Sequence, residues 1–122
     1  MSLAEDKSIA TYQINAYSPG KITINNAVFM QSLIISADKL WTSWRPRSVA
    51  DLNDLDWEPF LTLPIEIILL GTGEKSMILR ANQMQPLLQK QFHVECMSTS
   101  AACRTYTALI AENRRVAAGL II

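Results

Sequence analysis

The feature that most constrains the fold is a helix pattern between two strand patterns in the last quarter of the chain. The strand-like run 93–97 precedes it and the apolar run 116–122 follows it. Small or apolar residues recur between them at helical spacing, which predicts a helix with one face on the core. These residues are Ala102, Tyr106, Leu109 and Ile110.

The sequence carries recognisable signals for both the start and the end of this helix. Ser98, Thr99 and Ser100 each have a side-chain oxygen able to accept from a free first-turn N–H, so the helix is expected to begin there. At the other end no glycine is present, and Asn113 is predicted to take the left-handed turn, followed by two arginines beside the negative end of the helix dipole. The sequence therefore predicts strand, cap, helix, turn and strand.

The middle of the chain extends this pattern towards the N-terminus. Residues 65–70 are nearly all Ile and Leu, as in a buried central strand, and they stop at Gly71-Thr72-Gly73. A helix over about 83–92 is predicted next, with Pro86 tolerated in its first turn. The result is a β-α-β-α-β unit with a largely parallel sheet, in which the apolar strand 115–122 is internal.

The first third of the chain predicts an antiparallel β-meander. Strand patterns cover about 12–16, 21–24, 27–36 and 39–44, and Asn25-Asn26 is suited to a two-residue hairpin loop. Prolines then interrupt regular structure, and one or two helical turns are expected before the central strand. The tryptophans of this region are predicted to fill the join between the meander and the second half, as core side chains. They are Trp41, Trp44 and Trp57.

Length and charge limit the function classes. The chain has 122 residues, which suits one α/β domain over residues 11–122 after a frayed segment, 1–10. Eleven basic residues balance eleven acidic ones, so no global positive field indicates a nucleic-acid partner. No apolar run approaches the roughly 20 residues of a membrane span, and the start lacks the pattern of a secretory signal. We expect a cytoplasmic protein without membrane insertion.

The two cysteines are expected to be free thiols. Cys103 lies in the first turn of the last helix, where the dipole lowers a thiol pKa, and Arg104 follows it. The only histidine, His93, lies at the opposite end of the preceding strand, so no general base is expected nearby. We therefore predict a packed, inert thiol. One histidine and two cysteines also lack the paired spacing of a zinc site, so no metal, cofactor or catalytic residue is predicted.

Two loops point to one edge of the sheet as the candidate site. The glycines after residue 70 and the hydroxyl-rich helix start both follow strands, and open α/β sheets bind ligands at that edge. Free amides there can hold a small anion, whereas a tight turn and simple capping explain the same residues without a ligand. The predicted cleft comprises Gly71, Thr72, Gly73, Ser98, Thr99, Ser100, Cys103 and Arg104.

Three stretches also carry a family resemblance. Residues 68–73, 97–106 and 109–118, in this order and spacing, are similar to a small Mth-type domain family of unknown function. That family includes the mitochondrial complex I assembly factor three and the adipogenesis-associated Mth-domain protein. The similarity spans about 12–120. Family members commonly have Tyr-Asn where this chain has Tyr106-Thr107, and Glu-Gly-Arg where it has Glu112-Asn113-Arg114.

The resemblance implies a three-layer α/β fold with an extra β element and no established reaction. It favours a non-enzymatic, assembly-factor-like domain that binds a protein partner or forms a homo-oligomer. The alternative is a domain that binds a small anion, or a thiol-dependent enzyme, at the predicted cleft.

Overall fold

The first three strands in the described part of the chain form a small antiparallel sheet, built by two tight hairpins. In the computed structural model, which describes residues 10–90 and 92–122, these strands are β1 (Ile14–Ser18), β2 (Lys21–Ile24) and β3 (Ala27–Phe29). Asn25 and Asn26 connect β2 to β3 with φ of 49° and 70°, which confirms the predicted hairpin loop. The predicted frayed segment 1–10 lies outside the described residues, except for its last residue.

The central sheet has five strands in the order β5-β4-β8-β6-β7. Strand β6 pairs in parallel with β7 and β8, whereas β4 pairs antiparallel with β8 and β5. The C-terminal strand is therefore internal and the second half largely parallel, as predicted. The strands are β4 (Leu33–Ser36), β5 (Leu40–Trp41), β6 (Ile67–Gly71), β7 (His93–Met97) and β8 (Val116–Leu120).

Two cores cover the two faces of this sheet and make the fold three-layered. Alternate residues of β4, β6 and β8 face α3 (Thr99–Ala111) and the small sheet on one side. The intervening residues face α1 (Glu58–Leu61), α2 (Gln85–Gln89) and two 3₁₀ turns, Val49–Asp51 and Asp54–Trp57, on the other. This alternation explains why the central strands are uniformly apolar, because both of their faces are buried.

The predicted strand 27–36 is wrong as a single element. The chain leaves the small sheet after Phe29 and enters the central sheet at Leu33, so the stretch forms β3 and β4 in different layers. Burial explains the difference: β3 is largely exposed, whereas every residue of β4 is buried. The apolar residues on both sides of Gln31 and Ser32 therefore concealed a crossing between two sheets.

The predicted helix over 83–92 is also shorter than expected. A 3₁₀ turn occupies Ala81–Gln83, and α2 covers only Gln85–Gln89 with Pro86 in its first turn, as expected for proline. Leu87 is the buried residue of this helix. A single buried anchor is enough for one helical turn but not for a longer element.

Trp44 and Trp57 are core residues, as predicted, whereas Trp41 is only half-buried. Trp44, Trp57 and Phe60 form an aromatic cluster with ring centroids 5.7–6.1 Å apart, on the sheet face opposite the small sheet. A Cβ at Gly119 would lie 2.7 Å from Cη2 of Trp44, so the cluster rests directly on the backbone of β8. The cluster fills the core on this face of the sheet, which also contains Ile34 of the predicted meander and Ala117 of the second half.

Candidate functional site

Helix α3 begins beside the end of β6, as the sequence predicts. Ser98 is the N-cap residue, and its Oγ accepts a 3.3 Å hydrogen bond from the N–H of Ala101. Asn113 has φ of 61° just after the helix, and its N–H bonds the carbonyl of Ile110. Both predicted ends of the helix are therefore confirmed.

The hydroxyl of Thr99 connects the helix to two neighbouring segments. Its side chain is fully buried, its Oγ1 donates to the carbonyl of Ile121 at 2.6 Å, and the same atom accepts from the N–H of Gly73 at 2.8 Å. The N–H of Thr99 donates to the carbonyl of Gly73 at 2.8 Å. These bonds occupy Thr99 within the fold, so its hydroxyl acts as a structural link.

Thr72 plays the same role on the other side of the loop. It is buried, and its N–H donates to the carbonyl of Met97 at 2.8 Å. Its Oγ1 lies 2.5 Å from the carbonyl of Lys75 and 3.0 Å from that of Met97, so one hydroxyl proton is shared between these two acceptors, and the same atom accepts from the N–H of Met77. The residue therefore holds the loop after β6 against the end of β7.

Gly71 is required for close approach of the backbone. A Cβ at this position would lie 2.9 Å from both Cα and Oγ1 of Thr99, and 3.0 Å from Cδ2 of Leu120. Together with the bonds of Gly73, this contact shows that the glycine loop packs directly on the helix start. Of the two alternatives from the sequence, the one without a ligand, a tight turn with close backbone approach, describes the geometry of these glycines.

The other predicted residues lie on a groove outside this linked region. Ser100, Cys103 and Arg104 line it together with β1, including Tyr17, and its volume is about 560 Å³. Nη1 of Arg104 donates to Oγ of Ser100 at 2.8 Å on the exposed face of α3. The eight predicted residues thus share one end of the sheet, but five are engaged in helix capping and loop packing, and three border an open groove.

The thiol of Cys103 is buried at the floor of this groove. Its side chain is 6% exposed, and burial raises the pKa of the Cys103 thiol to about 11, although the nearby Arg104 guanidinium acts in the opposite direction. A thiol with this pKa stays protonated at neutral pH, and the thiol is a far weaker nucleophile than the thiolate. The environment of Cys103 is therefore that of a packed side chain.

Residues 10–90 and 92–122 carry neither a metal-binding cluster nor a membrane-spanning helix. No group of three or more His, Cys, Asp or Glu side chains in this part of the chain is arranged to hold a metal ion. Within the same residues, no helix has both the length and the apolarity required to cross a bilayer.

The loop after the glycines contains a feature that the sequence analysis missed. Met77 is 48% exposed and Ile78 is 90% exposed, although the next residue, Leu79, is buried in the core. Two consecutive large apolar residues in a segment without helix or strand periodicity are the signal that could have identified this surface. We call Met77 and Ile78 the apolar loop.

Comparison with known proteins places the chain in a family. The model of a family described as a protein of unknown function (DUF498/DUF598) matches residues 14–121. The chain belongs to this family. The family resemblance noted from three stretches of sequence is therefore confirmed.

Solved structures share the DUF498/DUF598 fold over nearly the whole chain. A Bordetella parapertussis protein is 33% identical with a TM-score of 0.84, covering 91% of this chain and 95% of its own. A Bordetella pertussis protein described as a Mth938-like domain is 30% identical with a TM-score of 0.78, covering 98% and 91%. A Bartonella henselae protein described as an outer membrane protein is 28% identical with a TM-score of 0.78, covering 92% and 95%.

Two relatives of this DUF498/DUF598 chain have different names. A "13 kDa major membrane protein" of Francisella tularensis subsp. holarctica (strain LVS) is 29% identical, with 99% of both chains covered. NADH dehydrogenase (ubiquinone) 1 alpha subcomplex assembly factor 3 of Danio rerio is 32% identical, covering 99% of this chain and 70% of its own. The names of some relatives refer to membranes, so the cytoplasmic location stays a prediction.

Proposed function

We propose that this chain is a non-enzymatic domain that binds another protein through the apolar loop, in the manner of an assembly factor. The observation that carries the proposal is the exposure of Ile78, at 90% of its side chain, beside the half-exposed Met77. Burying a side chain of this size is worth roughly 1.5–3 kcal/mol. The folded chain does not bury this side chain, so binding to a partner with an apolar pocket would release that free energy.

The apolar loop is anchored on both sides rather than free. The N–H of Met77 donates to Oγ1 of Thr72 at 3.2 Å, and Leu79 is only 4% exposed in the second core. A loop fixed at both ends presents its apolar side chains with little ordering entropy left to lose on binding.

The names of the relatives support a protein rather than a small molecule as the ligand. Several relatives are called assembly factors of an NADH dehydrogenase subcomplex, and the chain aligns with them over 99% of its length in Danio rerio and Rattus norvegicus. The chain spans 66–70% of the length of those two relatives. We therefore transfer to this chain only the general role of binding a protein during assembly. The other candidate for the bound protein is a second copy of this chain.

Capture from native lysate, with the tagged chain at endogenous level, tests this proposal. We expect the wild type to retain a specific protein that Ile78→Asp loses, because a carboxylate cannot enter an apolar pocket without a large desolvation cost. Val28→Asp is the matched control, since Val28 is 58% exposed on β3 of the small sheet. Equal melting temperatures for the three proteins would exclude unfolding as the cause.

Two outcomes would contradict the proposal. One is equal capture by wild type and Ile78→Asp. The other is co-sedimentation of the wild type with phospholipid vesicles that Ile78→Asp alone abolishes, without any captured protein, because the apolar loop would then contact a membrane surface.

A further inference from the structure

A second groove opens at the end of the central sheet opposite the start of α3. It has a volume of about 790 Å³, within the roughly 300–1,000 Å³ of ligand-binding clefts. Its walls come from the end of β4, from β5, from the segment before β6, and from the turn between α3 and β8. Neither the apolar loop nor the predicted cleft contributes to it.

The floor of this groove is apolar. Leu63, Ile110 and Val116 line it and are 9%, 7% and 2% exposed, and Trp41 and Ile65 line it as half-buried residues. Ile110 and Val116 belong to the core under α3, whereas Leu63 belongs to the core on the other face. The groove therefore marks the end of the sheet where both cores meet the surface, which favours an apolar ligand.

The rim of the groove is basic. Lys39, Arg114 and Arg115 line it together with one carboxylate, that of Asp38. Nε of Arg115 lies 3.4 Å from Oε2 of Glu66, so the guanidinium of Arg115 already has an ion-pair partner. Within residues 10–90 and 92–122, neither Lys39 nor Arg114 forms an ion pair. Two cations without an ion-pair partner thus stand beside an apolar floor.

The end of α3 does not require the Arg114 side chain. The carbonyls of Leu109 and Ile110 accept from the backbone N–H groups of Arg114 and Asn113, both at 2.9 Å. These bonds satisfy the last turn of the helix and leave the guanidinium of Arg114 available. Guanidinium groups pair with carboxylates through two parallel hydrogen bonds.

We propose that this groove binds an amphipathic anion, specifically a free alkyl carboxylate. The alkyl chain lies on the floor formed by Leu63, Ile110 and Val116, and the carboxylate pairs with the basic rim at Arg114. The floor supplies affinity through burial of apolar surface, and the rim selects an anion over a neutral molecule of the same length. This site is independent of protein binding by the apolar loop.

Isothermal titration calorimetry of the full chain with decanoate, kept below its micelle concentration, tests the proposal. We expect saturable binding of decanoate that is roughly tenfold tighter than that of decanol, which has the same chain length and no charge. Arg114→Gln should weaken decanoate binding by about tenfold. Arg104→Gln is the matched control, because it removes the same charge from the exposed face of α3 near its start.

A third variant tests the floor. Ala37 is half-buried and lines the groove, so Ala37→Phe should fill it and abolish binding of decanoate and decanol alike. The proposal is overturned by the absence of saturable decanoate binding to the wild type, or by equal affinities for decanoate and decanol. An equal effect of Arg104→Gln and Arg114→Gln, both surface substitutions, would also overturn it.

Discussion

Replacing Gly71 with alanine perturbs the contact between β6 and the start of α3. The new Cβ would lie 2.9 Å from Cα and Oγ1 of Thr99 and 3.0 Å from Cδ2 of Leu120, whereas carbon atoms pack best at about 3.5–4.0 Å. The contact with Leu120 involves only a terminal methyl group, although this side chain is fully buried. Thr99 cannot move freely, because its Oγ1 bonds both the carbonyl of Ile121 and the N–H of Gly73.

Two opposing terms set the magnitude of this effect. Overpacking a core typically costs about 1–3 kcal/mol. Gly71 does not have positive φ, so alanine introduces no backbone strain there and reduces the entropy of the unfolded chain, a gain of about 0.4–1 kcal/mol. The free energy of unfolding should therefore fall by about 1–2 kcal/mol, which corresponds to a melting temperature lower by roughly 4–8 °C.

Urea unfolding of the wild type and Gly71→Ala measures this difference at constant m-value. Ala27→Gly on the exposed strand β3 is the matched reference, because it reports the alanine–glycine difference in this protein without a steric contact. Amide exchange should also be faster at Gly73 in Gly71→Ala, since displacement of Thr99 weakens the bond to that N–H. A stability equal to or above that of the wild type would refute the reasoning.

Four further predictions concern the same end of the chain. Thr99→Val keeps the shape of the side chain but leaves the Gly73 N–H and the Ile121 carbonyl without their partner. Urea unfolding should therefore show a free energy of unfolding lower by about 2–4 kcal/mol. A decrease of less than about 1 kcal/mol would contradict the bonds described. Asn113→Gly should be neutral or stabilising in the same assay, because Asn113 has φ of 61°; a clear loss would indicate another helix stop. Burial raises the pKa of the Cys103 thiol from 9.0 to about 11, so the folded state retains this proton more tightly than the unfolded state does. The contribution of this shift to the free energy of unfolding is complete below pH 9 and declines as the pH rises to about 11. Alkylation of Cys103 in the native protein should be slow at pH 6–8, because the thiol stays protonated. Phosphate should raise the melting temperature no more than sodium chloride at equal ionic strength, and a saturable phosphate effect that Arg104→Ala removes would instead support an anion site.

Local patterns were sufficient to predict the elements whose signals lie within a few residues. The sequence predicts a helix start within Ser98 to Ser100, the left-handed residue Asn113, the hairpin loop of Asn25 and Asn26, and the bounds of β2 and β7, and the structure confirms them. The helix start and the turns depend on a side chain bonding its own neighbouring backbone, or on a residue type that tolerates positive φ, and the two strands depend on a short run of strand-forming residues between turn signals, so no distant contact is needed. The position of β8 inside the sheet followed from its unbroken apolar character.

The division of residues 27–36 between two sheets could not be predicted in this way. An apolar run specifies that both faces of a strand are covered, but it does not specify which layer covers them or where the chain crosses from one sheet to another. Only the packing of the small sheet and α3 on the same face of the central sheet decided that Phe29 and Leu33 belong to different layers.

The candidate sites show the same limit. The sequence brought Gly71, Thr72 and Thr99 to one edge of the sheet, because strand direction and helix position determine where loops emerge. Whether a hydroxyl there faces solvent or bonds within the fold depends on distances between segments far apart in sequence, such as Thr99 and Ile121. The basic groove at the opposite edge combines residues from separate segments with no shared local pattern, so only the tertiary structure could place Lys39 and Arg114 around one apolar floor.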